Sequence, residues 1–201
     1  MNIQSVTKKI LPLFEKFKEE ENSEIEIRLG KFNGSFFDTN VGEETFNKLL
    51  YGLEKYDGWE SVIKKNYEVF YSDESNVRLT IDQETDQQTQ VQKISIHKED
   101  FKRYKNTPLD VRFSFSKEIP IEGEFVMDRK RSKKRISFLR KNLSIDMTYS
   151  AGDTEDMDAE DETSFQVELE IVKPKNVKDK DQLFNIIHKV NDLFKLLSNN
   201  K

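Results

Sequence analysis

The sequence contains no cysteine. Disulfides, thiolate zinc centres, iron–sulfur clusters and cysteine nucleophiles are therefore excluded. Only two histidines occur, His97 and His188, so one chain cannot build a three-histidine zinc site. Any metal would be held by carboxylates, a donor set that favours Mg2+ or Mn2+. No apolar run approaches the roughly 20 residues that span a bilayer. The apolar stretch 10–14, after Lys8 and Lys9, is far too short for a signal peptide. These absences predict a soluble intracellular chain with no membrane partner. A large excess of one charge is also missing: Lys and Arg total 33 against 38 Asp and Glu, a net charge of −5. A broad nucleic-acid-coating surface is not expected from that balance.

What the chain does have is charge of both signs. Charged residues make up 35% and hydrophobic residues 35%, against usual shares of about 25% and roughly 45–50%. Its 201 residues suit a single domain, 1–201, with no linker and no internal repeat.

Helical spacing of Ile3, Val6, Ile10, Leu13, Phe14 and Phe17 predicts a helix over 2–20, with Pro12 breaking it into two. A second is predicted over 43–56, with Phe46, Leu49, Leu50 and Leu53 as its apolar stripe. A third is predicted over 179–197, after Pro174. Most of the remainder alternates with period two and reads as eight strands. They fall at about 23–32, 61–71, 76–82, 90–98, 110–119, 129–140, 142–149 and 164–173. The acidic run GDTEDMDAEDET, within 152–163, has too little apolar content to pack and predicts a mobile loop. The segment 97–105, HKEDFKRYK, mixes aromatic and cationic residues and reads as a solvated loop rather than a nucleic-acid contact.

The residues opposite the apolar ones carry the information. Glu24, Glu26 and Arg28 oppose Ile25, Ile27 and Leu29. Arg78 and Lys93 lie on the polar faces of two further strands, with Ser95 and His97 beyond Lys93. Asp110, Arg112 and Glu118 follow on the next. Arg131, Lys133 and Arg135 form a basic strand, Asp146 lies on the seventh, and Glu168 and Glu170 lie on the eighth. The strand over 61–71 shows no clear parity. A sheet with one wet face gives such alternation. Here, though, Glu24, Glu26, Glu168 and Glu170 gather on the first and last strands while the basic strand carries three cations, and anions and cations are equal in number. Buried charges must be paired, so a balanced set suits an enclosed polar interior. Eight strands suffice to close a barrel. The predicted fold is mainly β (α+β): an eight-stranded antiparallel barrel with a charged lumen and its helices packed outside. Closure would bring four glutamates of the first and last strands together, a cluster that needs a divalent cation.

Two glutamate strands bracket this arrangement. EIEIRLG (Glu24–Gly30) and VELEI (Val167–Ile171) resemble the first and last glutamate motifs of the fungal and viral mRNA capping triphosphatases. RSKKRISF (Arg131–Phe138) and SIDMT (Ser144–Thr148) resemble the basic strand and the aspartate strand between them. The family is the triphosphate tunnel metalloenzymes. The resemblance covers residues 24–172. It implies hydrolysis of the γ-phosphate of a 5′-triphosphate RNA end, the first step of cap formation, with Mn2+ or Mg2+ as cofactor. It implies 5′-triphosphate RNA as substrate and an mRNA guanylyltransferase as partner. Glu24, Glu26 and Glu170 match the metal-binding glutamates. Glu168 matches a residue that orients the attacking water, and Arg131, Lys133 and Arg135 match the phosphate-holding cations. Arg28, Arg78, Lys93, Arg112 and Asp146 are the expected substrate-binding residues.

Two positions depart from the family. Arg28 stands where the broader superfamily has lysine, and Gln166 where the fungal branch often has a third glutamate. Arginine still grips phosphate bidentately but does not release a proton. Two other readings remain: a related tunnel acting on inorganic triphosphate or nucleoside triphosphates, and a non-catalytic β-rich binding module. The short chain is consistent with a minimal viral form. The expected setting is the nucleus, a viral replication site or a virion.

Overall fold

The computed structural model describes residues 1–102, 108–153 and 163–198. The elements run α1 (Ile3–Phe17), β1 (Ser23–Asn33), β2 (Phe36–Asp38), α2 (Glu43–Glu54), β3 (Ser61–Ser72), β4 (Val77–Asp82) and β5 (Gln88–Phe101). They continue with β6 (Asp110–Pro120), β7 (Arg129–Arg140), β8 (Leu143–Gly152), β9 (Thr163–Ile171) and α3 (Lys180–Ser198). Antiparallel ladders join β1, β6, β5, β4, β3, β7, β8 and β9 in that order. β9 then pairs back with β1, placing Glu26 opposite Glu170 and Arg28 opposite Glu168. The eight strands therefore close a barrel, as the alternation predicted. β2 is an extra strand on the edge of β1, with Lys31 opposite Asp38.

The polar faces line the lumen and the apolar faces point outward. Ile25, Ile27 and Leu29 of β1, Phe113 and Phe115 of β6, and Val167, Leu169 and Ile171 of β9 are buried under the helices. Ile10 and Phe14 of α1, Leu49 of α2, and Ile187 and Val190 of α3 complete that core. Each such side chain contributes about 1.5–3 kcal/mol by leaving water. The core thus lies outside the barrel, and the charged interior is held by the wall rather than by its own packing. Trp59 joins the core's edge: its indole donates to the Leu53 carbonyl at 2.8 Å and its ring packs on Phe138.

The structure departs from the sequence expectations in four places. α1 is one unbroken helix with Pro12 inside it. The carbonyl left without its donor belongs to Lys8, and both Lys8 and Pro12 are exposed, so water can serve the lost bond. β2 was not expected: three residues give no usable period. β5 carries a bulge between Ser95 and His97, which makes Ile96 an extra residue. One inserted residue reverses every later side chain. His97, expected in the lumen, instead stands opposite Phe115 on the outer face, with its ring 6.3 Å from that phenyl. Lys98 and Asp100 take the lumen side in its place, opposite Ser114 and Arg112. Finally, β3 does have a parity: Lys65, Tyr67, Val69 and Tyr71 share the lumen face, opposite Arg135, Lys133, Arg131 and Arg129. Residues 154–162 of the acidic run and 103–107 of the aromatic–cationic stretch lie outside the described residues.

Candidate active site

The lumen is an ion-pair network built strand by strand. Lys93 of β5 forms an ion pair with Glu24, and its Nζ lies 3.4 Å from Glu118 and 3.6 Å from Glu26. The Ser116 hydroxyl donates to Glu24 at 2.6 Å. Arg78 of β4 donates to Glu118 at 2.7 Å. Arg28 bridges two strands: Nη2 lies 2.8 Å from Glu26 Oε1, and Nε lies 3.1 Å from Glu168 Oε1. Arg135 donates to the Thr148 hydroxyl at 3.1 Å and lies 3.6 Å from Asp146. Asp146 also accepts from the Ser144 hydroxyl at 2.5 Å. The Lys133 Nζ lies 5.6 Å from the Tyr71 ring centre.

These neighbours set the charge states. Burial raises the Glu168 carboxyl, but Arg28, Arg135, Lys133 and Lys93 outweigh it and hold the group at about 2. Burial also raises Glu170, and there Asp146, Glu24 and Glu26 add to it, so the group is pushed up to about 7. Burial and the nearby Glu168 and Glu24 carboxylates keep Glu26 above its ordinary value. Glu24 falls below its own, because Lys93 and the Ser116 hydroxyl overcome the burial. The lumen therefore has a strongly ionised carboxylate, Glu168, beside its cations, and a carboxyl, Glu170, crowded by other carboxylates.

Ten of the expected site residues meet in this network: Glu24, Glu26, Arg28, Arg78, Lys93, Lys133, Arg135, Asp146, Glu168 and Glu170. Arg131 is at the end of β7, where its guanidinium donates to the Asp153 carbonyl at 2.8 Å and the Ser150 hydroxyl at 3.0 Å. Arg112 is committed to Asp100 through two bonds of 2.7 and 2.9 Å, and its guanidinium carbon lies 4.5 Å from the Phe37 ring centre. Gln166, left out of the expected site, donates to the Thr39 hydroxyl at 3.0 Å. Sequence reasoning passed over Ser116, Thr148 and Tyr71. The first two lie on faces whose parity was already clear. Tyr71 lay on the strand without one.

A family model described as mRNA capping enzyme, beta chain, matches residues 46–201. The chain belongs to this family. As an mRNA capping triphosphatase, it keeps its basic strand, aspartate strand and last glutamate strand inside the matched span. Glu24, Glu26 and Arg28 precede that span, and barrel closure brings them into it. No curated protein matches by sequence. Among solved structures, the S. pombe Pct1 RNA triphosphatase superimposes with a TM-score of 0.73 at 17% identity, covering 96% of this chain and 91% of that one. The RNA triphosphatase domain of a trifunctional mimivirus mRNA capping enzyme gives 0.66 at 14% identity, covering 95% and 96%. Pct1 in complex with the Spt5 CTD gives 0.72 at 18%, covering 98% and 92%. These likenesses carry the tunnel fold. Among the described residues no helix is long and apolar enough to cross a membrane.

Among the described residues no three Asp, Glu or His side chains form a ready cage for a divalent cation. The donor set is nevertheless all oxygen, as Mg2+ and Mn2+ require. Glu26 Oε1 is buried without a well-aligned hydrogen bond. Glu170 faces three carboxylates with only Arg135 among its main influences to offset them. The crowding of Glu170 by Asp146, Glu24 and Glu26 is negative charge that a cation beside these carboxylates would offset.

Proposed function

We propose that this chain removes the γ-phosphate of 5′-triphosphate RNA, in the first step of cap formation, with Mn2+ or Mg2+ as cofactor. The observation that carries the reading is the lumen's arrangement: the carboxylates of β1 and β9, with Glu170 crowded among them, face cations on β4, β5 and β7. Hydrolysis of a phosphoanhydride needs the γ-phosphoryl charge neutralised and water held in line. Glu24, Glu26 and Glu170 would hold the metal, which supplies Lewis-acid polarisation of a phosphoryl oxygen when bound. Lys133 and Arg135 hold the phosphates and stabilise developing charge, with Arg131 at the end of the same strand. Arg28, Arg78 and Lys93 surround the chain of phosphates, and Arg112 stands beside them on Asp100. Glu168 is ionised at every working pH and accepts a hydrogen bond from the attacking water, which orients it. Asp146 holds Arg135 in place.

The product, a 5′-diphosphate RNA end, is the substrate a guanylyltransferase requires, so such an enzyme is the proposed partner. The setting is where nascent RNA ends arise, the nucleus or a viral replication site. Nothing in the lumen network reads a base, so tripolyphosphate and free nucleoside triphosphates belong in the test. The experiment is γ-phosphate release from triphosphate RNA, with and without Mn2+ or Mg2+, against a Glu24→Ala/Glu26→Ala control. Metal-dependent release that the control loses is expected. No release from RNA, tripolyphosphate or nucleoside triphosphate would overturn the reading in favour of a non-catalytic binding module.

A further inference from the structure

The barrel wall is uneven at the end where β1 and β5 finish. Pairing of β5 with β4 stops at Gln92 and Val77, while its pairing with β6 runs on to Phe101 and Val111. β6 in turn reaches Asp110 opposite Gly30 of β1, and β1 continues along β2 to Asn33. One side of this mouth is therefore a raised lip of β5, β6, β1 and β2, and the other is the low turn between β3 and β4.

The bulge at Ile96 decides what the lip presents. Beyond it, Lys98 and Asp100 take the lumen side, opposite Ser114 and Arg112. Lys102 follows in the same alternation, with its Nζ 4.9 Å from the Phe32 ring centre, a distance at which the ring attracts the ammonium. The Phe32 amide donates to Asp110 at 2.7 Å, which fixes that part of the lip. Arg112 is neutralised by Asp100 and laid against Phe37. Lys98 and Lys102 are exposed, and among the described residues neither ammonium has a carboxylate within 4 Å. The cations deeper in the lumen differ: Arg28, Arg78, Lys93 and Arg135 each reach a carboxylate. At the opposite end, the lumen-side Lys65 is bonded to Asp82 at 2.7 Å and lies 4.0 Å from Glu84. Asp153, where the acidic run begins, follows β8, which stands diametrically across the barrel from β5.

We propose that this lip is where the RNA strand lies: Lys98 and Lys102 hold the phosphodiesters next to the 5′-triphosphate, while the triphosphate itself enters the lumen. The inference rests on the triphosphatase reading and adds which end of the barrel the RNA occupies and which residues hold it. Two unpaired cations on one inner surface match a polyanion that continues out of the tunnel. Lysines on backbone phosphates position a strand without reading its sequence, as suits an enzyme that meets many RNA ends. The segment 97–105, which the sequence presents as a solvated loop, thus supplies an RNA contact through the lysines that the bulge turns inward.

The test compares triphosphate RNA with tripolyphosphate, which has no phosphodiester to reach the lip. Lys98→Ala/Lys102→Ala should raise KM for triphosphate RNA about tenfold with kcat unchanged, the pattern of lost uniform binding. The log–log salt dependence of RNA binding should become shallower by about 0.7 for each lysine. Kinetics on tripolyphosphate should stay as in the parent, and so should the melting temperature, since both side chains are exposed. Lys64→Ala, an exposed lysine on the outer face of β3, is the control for a general charge effect. An unchanged KM for RNA, an equal change on tripolyphosphate, or the same change in Lys64→Ala would overturn the proposal. If the parent hydrolyses neither substrate, the triphosphatase reading falls. Fluorescence anisotropy of labelled triphosphate RNA, with the same variants and salt series, would then still decide the lip: binding that the double variant does not weaken, or no binding by the parent, overturns it.

Discussion

Glu168 and Glu170 stand two residues apart on β9, face the same lumen, and are driven to opposite charge states. Glu168 shares Arg28 with Glu26, at 3.1 and 2.8 Å, and is held at about 2. Glu170 meets Asp146, Glu24 and Glu26 and is pushed up to about 7. Opposed pKa values on neighbouring groups are how one site holds two carboxylates in two roles.

The metal-free protein should therefore show two stability limbs. The native Glu170 keeps a proton between about 4.5 and about 7 while the unfolded chain releases it. Stability present below pH 4.5 is lost as pH rises to 7, by up to about 3 kcal/mol. Glu168 acts with the opposite sign: its stabilisation is present above pH 4.5 and lost as pH falls toward 2. Urea denaturation with a chelator present measures both. Glu170→Gln should flatten the neutral limb alone, and an unchanged limb would show that Glu170 is not the group concerned.

Removing the proposed metal ligands should separate activity from folding. Glu24→Ala, Glu26→Ala and Glu170→Ala should each lower kcat by about 10²-fold or more. Without metal, Glu170→Ala should melt no lower than the parent, because it relieves repulsion among Glu24, Glu26 and Asp146. Activity surviving in all three would show that the metal lies elsewhere.

The basic strand should matter unequally. Lys133→Ala and Arg135→Ala should each reduce kcat about 10²–10³-fold. Arg131→Ala should cost less, since its guanidinium is tied to the Asp153 carbonyl and Ser150 at the strand end. Steady-state kinetics on triphosphate RNA rank the three.

Much of this was legible in the sequence. Charges opposite apolar residues in β1, β6, β7, β8 and β9, gathered as glutamates on β1 and β9 and as cations on β7, are a direct trace of a lumen, because each strand keeps strict period two. What stayed hidden were breaks in that period. The Ile96 bulge exchanges His97 and Glu99 for Lys98 and Asp100, and no residue type there announces it. In β3 the lumen face carries Lys65, Tyr67, Val69 and Tyr71, while the outer face also mixes polar and apolar residues, so the two faces look alike. The hold of Asp100 on Arg112 followed from the bulge and was hidden with it.

Gly30 is a test of the wall itself. A Cβ there would meet the Asp38 carbonyl oxygen at 2.2 Å and the Phe37 ring at 2.8 Å. Gly30→Ala should displace β2 and destabilise the chain by about 1–3 kcal/mol, seen as a lower melting temperature. An unshifted transition would mean that β2 does not pack against that strand in solution.

Glu24 and Glu26 belong to the first strand of the barrel, and Glu168 and Glu170 to the last. The proposed catalytic constellation therefore exists only once the two ends of the wall have found each other across most of the chain. Such a pairing has high contact order and forms late and slowly. The carboxylates at that seam resist the step, so a divalent cation would act as a clasp in folding as well as a participant in turnover. Refolding should then quicken when Mg2+ or Mn2+ is present, and a half-built wall would have no chemistry at all.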